Sequence, residues 1–215
     1  MTAKVIVITN QKGGCGKTTI TMNLSGAFGK DAKTLVVDGD PQGSTTRWAA
    51  SSSDENPFPC SVMSLANLDG KVNREIKKYI DDYEYIFIDC PPAIDNRFTA
   101  SALLVANLAI VPVVPSPTDL WSAIGIQNLI NSALDFNENL QTRLLANMCQ
   151  PNTSISREAL ELIGEFDFDK FETDIYQRTA YRQAAAFGGT VLDLDNAKAK
   201  EEITALKQEI IKILN

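Results

Sequence analysis

The residues best suited to chemistry lie in the segment Gln11–Thr19, whose sequence is QKGGCGKTT. The apolar run Val5–Thr9 precedes this segment and predicts a buried strand, and Thr18–Phe28 follows it with the pattern of a helix. Glycines allow backbone N–H groups to converge on phosphate oxygens, and the N-terminus of a helix adds its positive dipole end. The segment therefore predicts a loop that binds the phosphates of a nucleotide.

Two side chains of this loop have distinct expected roles. Lys17 is expected to reach the β- and γ-phosphates, and the hydroxyl of Thr18 is expected to bind Mg²⁺. The usual phosphate-loop pattern requires a glycine at position 11, where Gln11 stands. The segment fits instead the variant KGGxGKT, which begins at a second lysine, Lys12.

Three carboxylates lie at or just after predicted strands: Asp38 and Asp40 after Thr34–Asp38, and Asp89 at the end of Tyr85–Asp89. Ligands bind beyond the carboxyl ends of strands in open α/β sheets. The sequence contains no histidine, which excludes imidazole bases, Ser-His-Asp and Cys-His catalysis and His-ligated metals. A carboxylate is thus the natural group to orient an attacking water. Alternatively, Asp38 and Asp40 would cap a turn and Asp89 a helix.

The rest of the chain alternates short apolar runs with longer amphipathic runs. Strands that are apolar on both faces and separated by helices indicate a parallel sheet covered by helices on both faces. The predicted fold class is therefore α/β, with a mostly parallel, twisted sheet. Further strands are predicted over Ala109–Val114 and Leu144–Asn147. Helices are predicted over residues 70–82, 97–107, 119–136 and 197–214, the last of which would close a flank of the sheet.

Length and charge narrow the class of protein further. A chain of 215 residues has the size of one domain, so we expect a single domain over residues 1–215, with the polar stretch Ser51–Pro59 as a surface excursion. The net charge of −7 argues against binding nucleic acid through the global field but leaves a local basic patch open. The four cysteines form no CxxC pair, and no signal peptide or membrane span is evident, so a cytoplasmic location is expected.

Four segments together resemble the ParA/MinD family of ATPases. The loop from Lys12 to Thr18 resembles the family's deviant Walker A motif. The segments VVDGDPQG, YIFIDCPP and VPVVPSPTD resemble the ParA-type DxDPQG segment, the Walker B strand and the next strand with its exit loop. Residues 178–188 and 199–203 resemble the family's C-terminal region more weakly. The resemblance implies a P-loop NTPase of the deviant Walker A type, nearest to short ParF-like proteins without an N-terminal helix-turn-helix extension.

The resemblance also implies roles for individual residues. Lys12 would reach the nucleotide of a partner subunit and act in trans like an arginine finger. Asp40 would serve hydrolysis, Asp38 would assist near Mg²⁺, and Asp89 would hold a water of the Mg²⁺ ion. Asn147 would lie beside the adenine. The implied catalytic residues are Lys12, Asp40 and Asp38; the nucleotide-binding residues are Lys12, Gly13, Gly14, Cys15, Gly16, Lys17, Thr18, Thr19 and Asn147; the metal-binding residues are Thr18, Asp38 and Asp89.

The function that the resemblance implies is that of a weak ATP hydrolase with ATP/ADP and Mg²⁺ as cofactors. ATP would produce a homodimer that binds double-stranded DNA without sequence preference, in the cytoplasm and on the nucleoid. A ParB-like adaptor protein would stimulate hydrolysis, and the cycle would partition or position a plasmid, a chromosome or a protein cargo. The local DNA-binding patch is expected to consist of Arg178 and Arg182, four residues apart on one helix face, with Lys198, Lys200 and Lys207.

Two other classes of function share the loop. MinD-like ATPases cycle on membranes through a basic amphipathic C-terminal helix. The end of this chain, Ile210–Asn215, lacks that combination of basic residues and phenylalanine, so no membrane partner is expected. Metabolic ligases and iron–sulfur reductases form the second class. A reductase needs paired cysteines at a subunit interface, whereas Cys90 directly follows Asp89 and has no suitably spaced companion.

Overall fold

The computed structural model describes residues 2–92, 97–150 and 168–215, and it describes residues 117–124 by their backbone alone. The strands are β1 Lys4–Ile8, β2 Thr34–Asp38, β3 Ser61–Ser64, β4 Tyr85–Asp89, β5 Leu108–Val113 and β6 Gln141–Ala146. The helices are α1 Lys17–Gly29, α2 Ser44–Ala50, α3 Val72–Ile76, α4 Arg97–Leu103, α5 Pro117–Leu134, α6 Thr179–Phe187 and α7 Ala197–Leu214.

These strands form one parallel sheet in the order β3-β2-β4-β1-β5-β6. The register aligns Ile8 of β1 with Asp89 of β4, and Asp38 of β2 with the same Asp89. The carboxyl ends of the three strands therefore lie side by side, and the segments that follow them meet at one edge. This topology confirms the predicted α/β class with a parallel sheet.

The sheet is buried on both faces by two hydrophobic clusters. Val7 and Ile88 belong to the cluster that contains residues of α3, α4 and α5. Ile6 and Phe87, their neighbours along the same strands, belong to the cluster that contains residues of α1, α6 and α7. Because both faces are apolar, the central strands read as continuous apolar runs rather than as alternating ones.

Two elements, β3 and α2, were not predicted from the sequence pattern, whereas α6 was expected as the helix that carries Arg182, without stated bounds. β3 is a four-residue strand at the edge of the sheet and has no buried residue, so it lacks a clear apolar pattern. α2 begins after Gly43, which has a φ of 64°, and the Asp38 carboxylate accepts the backbone N–H groups of Thr45 and Thr46. A helix whose first donors are satisfied from another segment shows no local capping signal.

The last helix, α7, agrees with its predicted bounds. Its apolar stripe, which includes Ile203 and Ile210, is buried in the cluster that also holds α1. Beside this stripe, the Lys207 ammonium donates to the carbonyl of Ala27 at 2.7 Å and pairs with Asp31 at 2.5 Å. The helix is thus fastened to the end of α1 and closes that flank of the sheet. Within the described parts of the chain, no helix has the length and apolar character to cross a membrane.

Candidate functional site

The loop between β1 and α1 depends on glycine for both its conformation and its space. Gly14 and Gly16 have φ values of 79° and 89°, in the left-handed region that favours glycine. A Cβ at Gly16 would lie 2.3 Å from the Nδ2 atom of Asn147, which is closer than two such atoms approach. The loop therefore runs tightly beneath the residue that follows β6.

A chain of hydrogen bonds holds this loop against β5. Asn10 donates its Nδ2 to the carbonyl of Pro112 at 2.8 Å and accepts the backbone N–H of Lys12 at 3.1 Å. The Lys17 ammonium donates to the Lys12 carbonyl at 3.0 Å and is only 7% exposed. Lys17 is thus held inside the loop, as expected for a group that binds phosphates.

Thr18 and Asp89, which were predicted to serve a metal, are in contact. The Thr18 hydroxyl donates to Asp89 Oδ2 at 2.6 Å, and Thr21 donates to Oδ1 at 3.3 Å. Burial raises the pKa of Asp89 to about 7; the hydrogen bond from Thr18 acts in the opposite direction, and nearby Asp38 adds to the rise. Oxygen donors of this kind are those that Mg²⁺ prefers, and a cation beside Asp89 would favour its ionised form. The pair therefore fits a Mg²⁺ ion.

Asp38 is fully buried and shapes the loop between β2 and α2. It accepts the backbone N–H groups of Asp40, Thr45 and Thr46 at 3.0, 3.1 and 3.2 Å, and the Thr46 hydroxyl at 3.2 Å. Both carboxylate oxygens are used by the loop, which corresponds to the turn-capping alternative. These contacts show Asp38 positioning Asp40, and its role near Mg²⁺ stays a prediction.

Asp40 lies at a cavity of about 380 Å³ above the phosphate loop, which we call the loop cavity. It is half-buried, and its Oδ1 accepts the backbone N–H of Gln42 at 2.8 Å. Ser44, Cys90, Pro92 and Met148 also line this cavity. The phosphate loop and the start of α1 contribute Gly13, Gly14, Gly16, Lys17, Thr18 and Thr19. Six of the predicted nucleotide-binding residues and the predicted hydrolytic carboxylate thus face one space, whereas Lys12, Cys15 and Asn147 do not line it.

A second cavity of about 260 Å³, the side cavity, shares Thr19 and Met148 with the loop cavity. Its walls come from the end of β6, the segment before α6 and α6 itself: Thr19, Asn147, Met148, Ile175, Tyr176, Gln177, Arg178, Tyr181, Arg182 and Ala185. Because the two cavities meet at shared residues, phosphates in one would place a nucleoside in the other.

Asn147 lies between the two cavities. It is 2% exposed, and its Nδ2 donates to the carbonyl of Cys15 at 2.7 Å. Met148, which follows it, has a φ of 56° and turns the chain out of β6. Asn147 thus holds the phosphate loop and lines the side cavity, next to the space in which a base would lie.

The five cations predicted for a DNA patch occupy different environments. Lys207 is buried in its contacts with α1, and Arg178 is held by Glu202 in the wall of the side cavity. Arg178 precedes the first turn of α6, so it does not share a helix face with Arg182 as predicted. Arg182 and Lys198 are exposed, and Lys200 is half-buried. Arg182, Lys198 and Lys200 can therefore contribute to a surface that binds DNA phosphates, whereas Arg178 and Lys207 are engaged in contacts within the protein.

Sequence reasoning missed several contributors to the site. Met148, Tyr176 and Tyr181 line cavities, and Asn10 anchors the loop. The spacing of Arg178 and Arg182 predicts a DNA-binding patch in this region, whereas both residues line the side cavity. No local pattern reveals Glu202, because its partners lie about 20 residues earlier in the chain.

The comparisons with known proteins agree with this geometry. Residues 6–191, most of the chain, match the CobQ/CobB/MinD/ParA nucleotide binding domain, the CbiA family. The chain belongs to this family. It is therefore a member of the ParA/MinD-type P-loop ATPases. The description of this family also names CobQ and CobB, so membership alone does not give the reaction.

Individual relatives cover nearly all of the chain. The maintenance of carboxysome distribution protein A of Halothiobacillus neapolitanus is 29% identical over 211 residues, which are 97% of each protein. The chromosome partitioning protein ParA of Myxococcus xanthus is 24% identical over 253 residues, covering 97% of this chain and 88% of that protein.

A solved structure supports the fold. The septum site-determining protein MinD of Pyrococcus horikoshii, complexed with Mg-ADP, is 21% identical and has a TM-score of 0.76, with 98% of this chain and 97% of that chain covered. At this identity the likeness shows the fold alone.

Proposed function

We propose that this protein binds ATP with Mg²⁺, dimerises on binding it and hydrolyses it slowly, in a cycle that positions a cargo. The observation that carries the proposal is the division between the two lysines of the loop. Lys17 is buried inside the loop and lines the loop cavity, whereas Lys12 stands half-exposed where the loop begins. One lysine suffices to bind phosphates within a chain, so the second fits a contact with the nucleotide of another subunit.

The residues of the loop cavity divide the work of hydrolysis. Lys17 and the backbone N–H groups of the loop bind the phosphates. Thr18 and Asp89 would hold Mg²⁺, which neutralises phosphate charge when bound. Asp40 orients the attacking water, and Asp38 holds the backbone N–H of Asp40 in place. The nucleoside would then occupy the side cavity, which shares Thr19 and Met148 with the loop cavity.

The proposal extends to the cargo that the ATPase cycle positions. Relatives named for chromosome partitioning and for carboxysome distribution each cover 97% of this chain, which supports a positioning function for DNA or protein cargo. The ATP dimer binds double-stranded DNA through Arg182, Lys198 and Lys200, and a ParB-like adaptor stimulates hydrolysis. The protein would then be cytoplasmic and associated with the nucleoid while ATP is bound.

The test of this function compares Lys12→Gln with the wild type. We expect Lys12→Gln to bind ATP with nearly unchanged affinity but to lose the ATP-dependent dimer and hydrolysis, because only the contact across the interface is removed. Calorimetry measures binding, light scattering with and without ATP measures the dimer, and phosphate release measures turnover. Lys212→Gln, which changes an exposed lysine in the last turn of α7, is the matched control. A Lys12→Gln protein that dimerises and hydrolyses ATP normally would contradict the proposal.

A further inference from the structure

The wall of the side cavity is held by one carboxylate outside it. Glu202 lies on α7 and is not among the residues that line the cavity. Its Oε1 accepts Nε and Nη2 of Arg178 at 2.8 and 2.5 Å. Its Oε2 accepts the hydroxyl of Tyr181 at 2.9 Å and the backbone N–H of Tyr176 at 3.4 Å. All three donor residues line the cavity.

The environment of this carboxylate makes its contacts strong and directional. The Glu202 side chain is 10% exposed, and that of Arg178 is 24% exposed, so solvent screens the pair far less than a surface ion pair. Two donors from one guanidinium fix the plane of Arg178, which also lies over the ring of Tyr176 at 5.5 Å. Burial and the neighbouring Glu202 raise the pKa of Tyr181, which keeps its hydroxyl a donor.

We propose that Glu202 is a positioning residue for the nucleobase: by holding Arg178, Tyr176 and Tyr181, it sets the wall of the side cavity against which the base binds. The inference rests on the proposed function, which places the nucleoside in that cavity. It predicts that Glu202 contributes to the binding of ligands that carry a base and not to the binding of bare phosphates, because its contacts lie outside the loop cavity.

The chain offers a matched control for a purely structural role. Glu209 lies seven residues later on the same helix and accepts the backbone N–H groups of Glu172 and Thr173 at 2.8 and 2.9 Å, as well as the Thr173 hydroxyl. It thus fastens the same segment to α7, but neither Glu172 nor Thr173 lines the side cavity. A general loosening of the segment should affect both glutamates alike.

The experiment measures the affinities of the wild type, Glu202→Gln and Glu209→Gln for ATP, ADP and inorganic triphosphate, with thermal unfolding of each. We expect Glu202→Gln to weaken ATP and ADP binding by about tenfold and to leave triphosphate binding unchanged. We expect Glu209→Gln to change the two kinds of ligand equally or not at all. A Glu202→Gln protein whose affinities all stay at wild-type values, or all fall together, overturns the inference. So does a Glu209→Gln protein with the same loss of base-dependent affinity.

Two further results keep the inference separate from its premise. If Glu202→Gln does not fold, Tyr181→Phe removes one donor alone and should weaken ATP binding severalfold with triphosphate binding unchanged. Unchanged ATP binding in Tyr181→Phe then counts against the inference. A wild-type protein that binds neither ATP nor ADP contradicts the proposed function itself, whatever the variants do.

Discussion

The loop cavity and the side cavity adjoin, yet they are built in different ways. The loop cavity takes its polar groups from short segments that directly follow β1, β2 and β4, and its main contacts form within or between those segments. The side cavity takes its walls from residues after β6 and around α6, and these are held by a glutamate on α7.

This difference shows why phosphate binding and base binding should respond separately to substitution. Backbone donors and glycine conformations form most of the loop cavity, so few side chains can be removed without loss of the whole loop. In the side cavity, side-chain contacts hold the wall in place, so a substitution there should weaken nucleotide binding in part without abolishing it. The following predictions test that separation.

The largest effect is expected for Lys17→Ala in the loop cavity. Removal of a buried ammonium that faces the phosphates should weaken ATP, ADP and inorganic triphosphate binding alike, by about 2–5 kcal/mol. Calorimetry measures the three affinities, with Lys212→Ala as the control at an exposed lysine of α7. A selective loss of ATP binding with normal triphosphate binding would show that the two cavities are not separate in this way.

The raised pKa of Asp89 makes stability depend on pH in the absence of Mg²⁺. Its folded pKa is about 7 against 3.8 in an ordinary carboxyl group, so the folded state binds more protons between these values. The free energy of unfolding should therefore fall as pH rises through this window, by up to about 4 kcal/mol, and Mg²⁺ should offset the loss near pH 7.

Urea unfolding across the same window measures this effect. Asp89→Asn stays uncharged at every pH, so the difference in stability between wild type and variant should change with pH and then level off above the folded pKa. A constant difference would mean that folding does not raise the pKa of Asp89.

A smaller effect is expected for Asp40→Ala, which keeps the phosphate loop intact. Turnover should fall by about a hundredfold, because the water loses its orienting carboxylate, while ATP affinity and the ATP-dependent dimer persist. Phosphate release measures turnover, calorimetry measures ATP affinity and light scattering measures the dimer, and Asp54→Ala, at an exposed aspartate, is the control. Unchanged turnover would transfer the role away from Asp40.

The smallest effect is expected for the cations of the proposed DNA patch, of which Arg182 also lines the side cavity. Arg182→Ala combined with Lys200→Ala should lower the affinity of the ATP dimer for duplex DNA and reduce its salt dependence, by about 0.9 in logarithmic slope for each phosphate that the variant no longer neutralises. Arg74→Ala with Lys77→Ala, two exposed cations of the α3 region, is the control. An ATP dimer that binds no DNA at low salt but floats with lipid vesicles would favour the MinD-like alternative.

Much of the fold followed from the sequence because its strands are buried on both faces. The bounds of β2 and β4 agree with the predicted ranges, and β1, β5 and β6 differ from theirs by one to three residues. The edge strand β3 and the helix α2 escaped prediction, and for α6 a helix was expected without bounds. The helix predicted over 70–82 is limited to Val72–Ile76.

The sequence by itself determined the phosphate loop and the carboxylates beside it. Such a loop needs its glycines and its lysine within one segment, so its chemistry is visible in the order of residues. The tertiary structure alone decided that Asp38 caps the loop of Asp40, that Lys207 is buried, and that Arg178 belongs to a cavity wall. These roles depend on partners far along the chain, and only packing decides whether a charged side chain meets solvent or a buried partner.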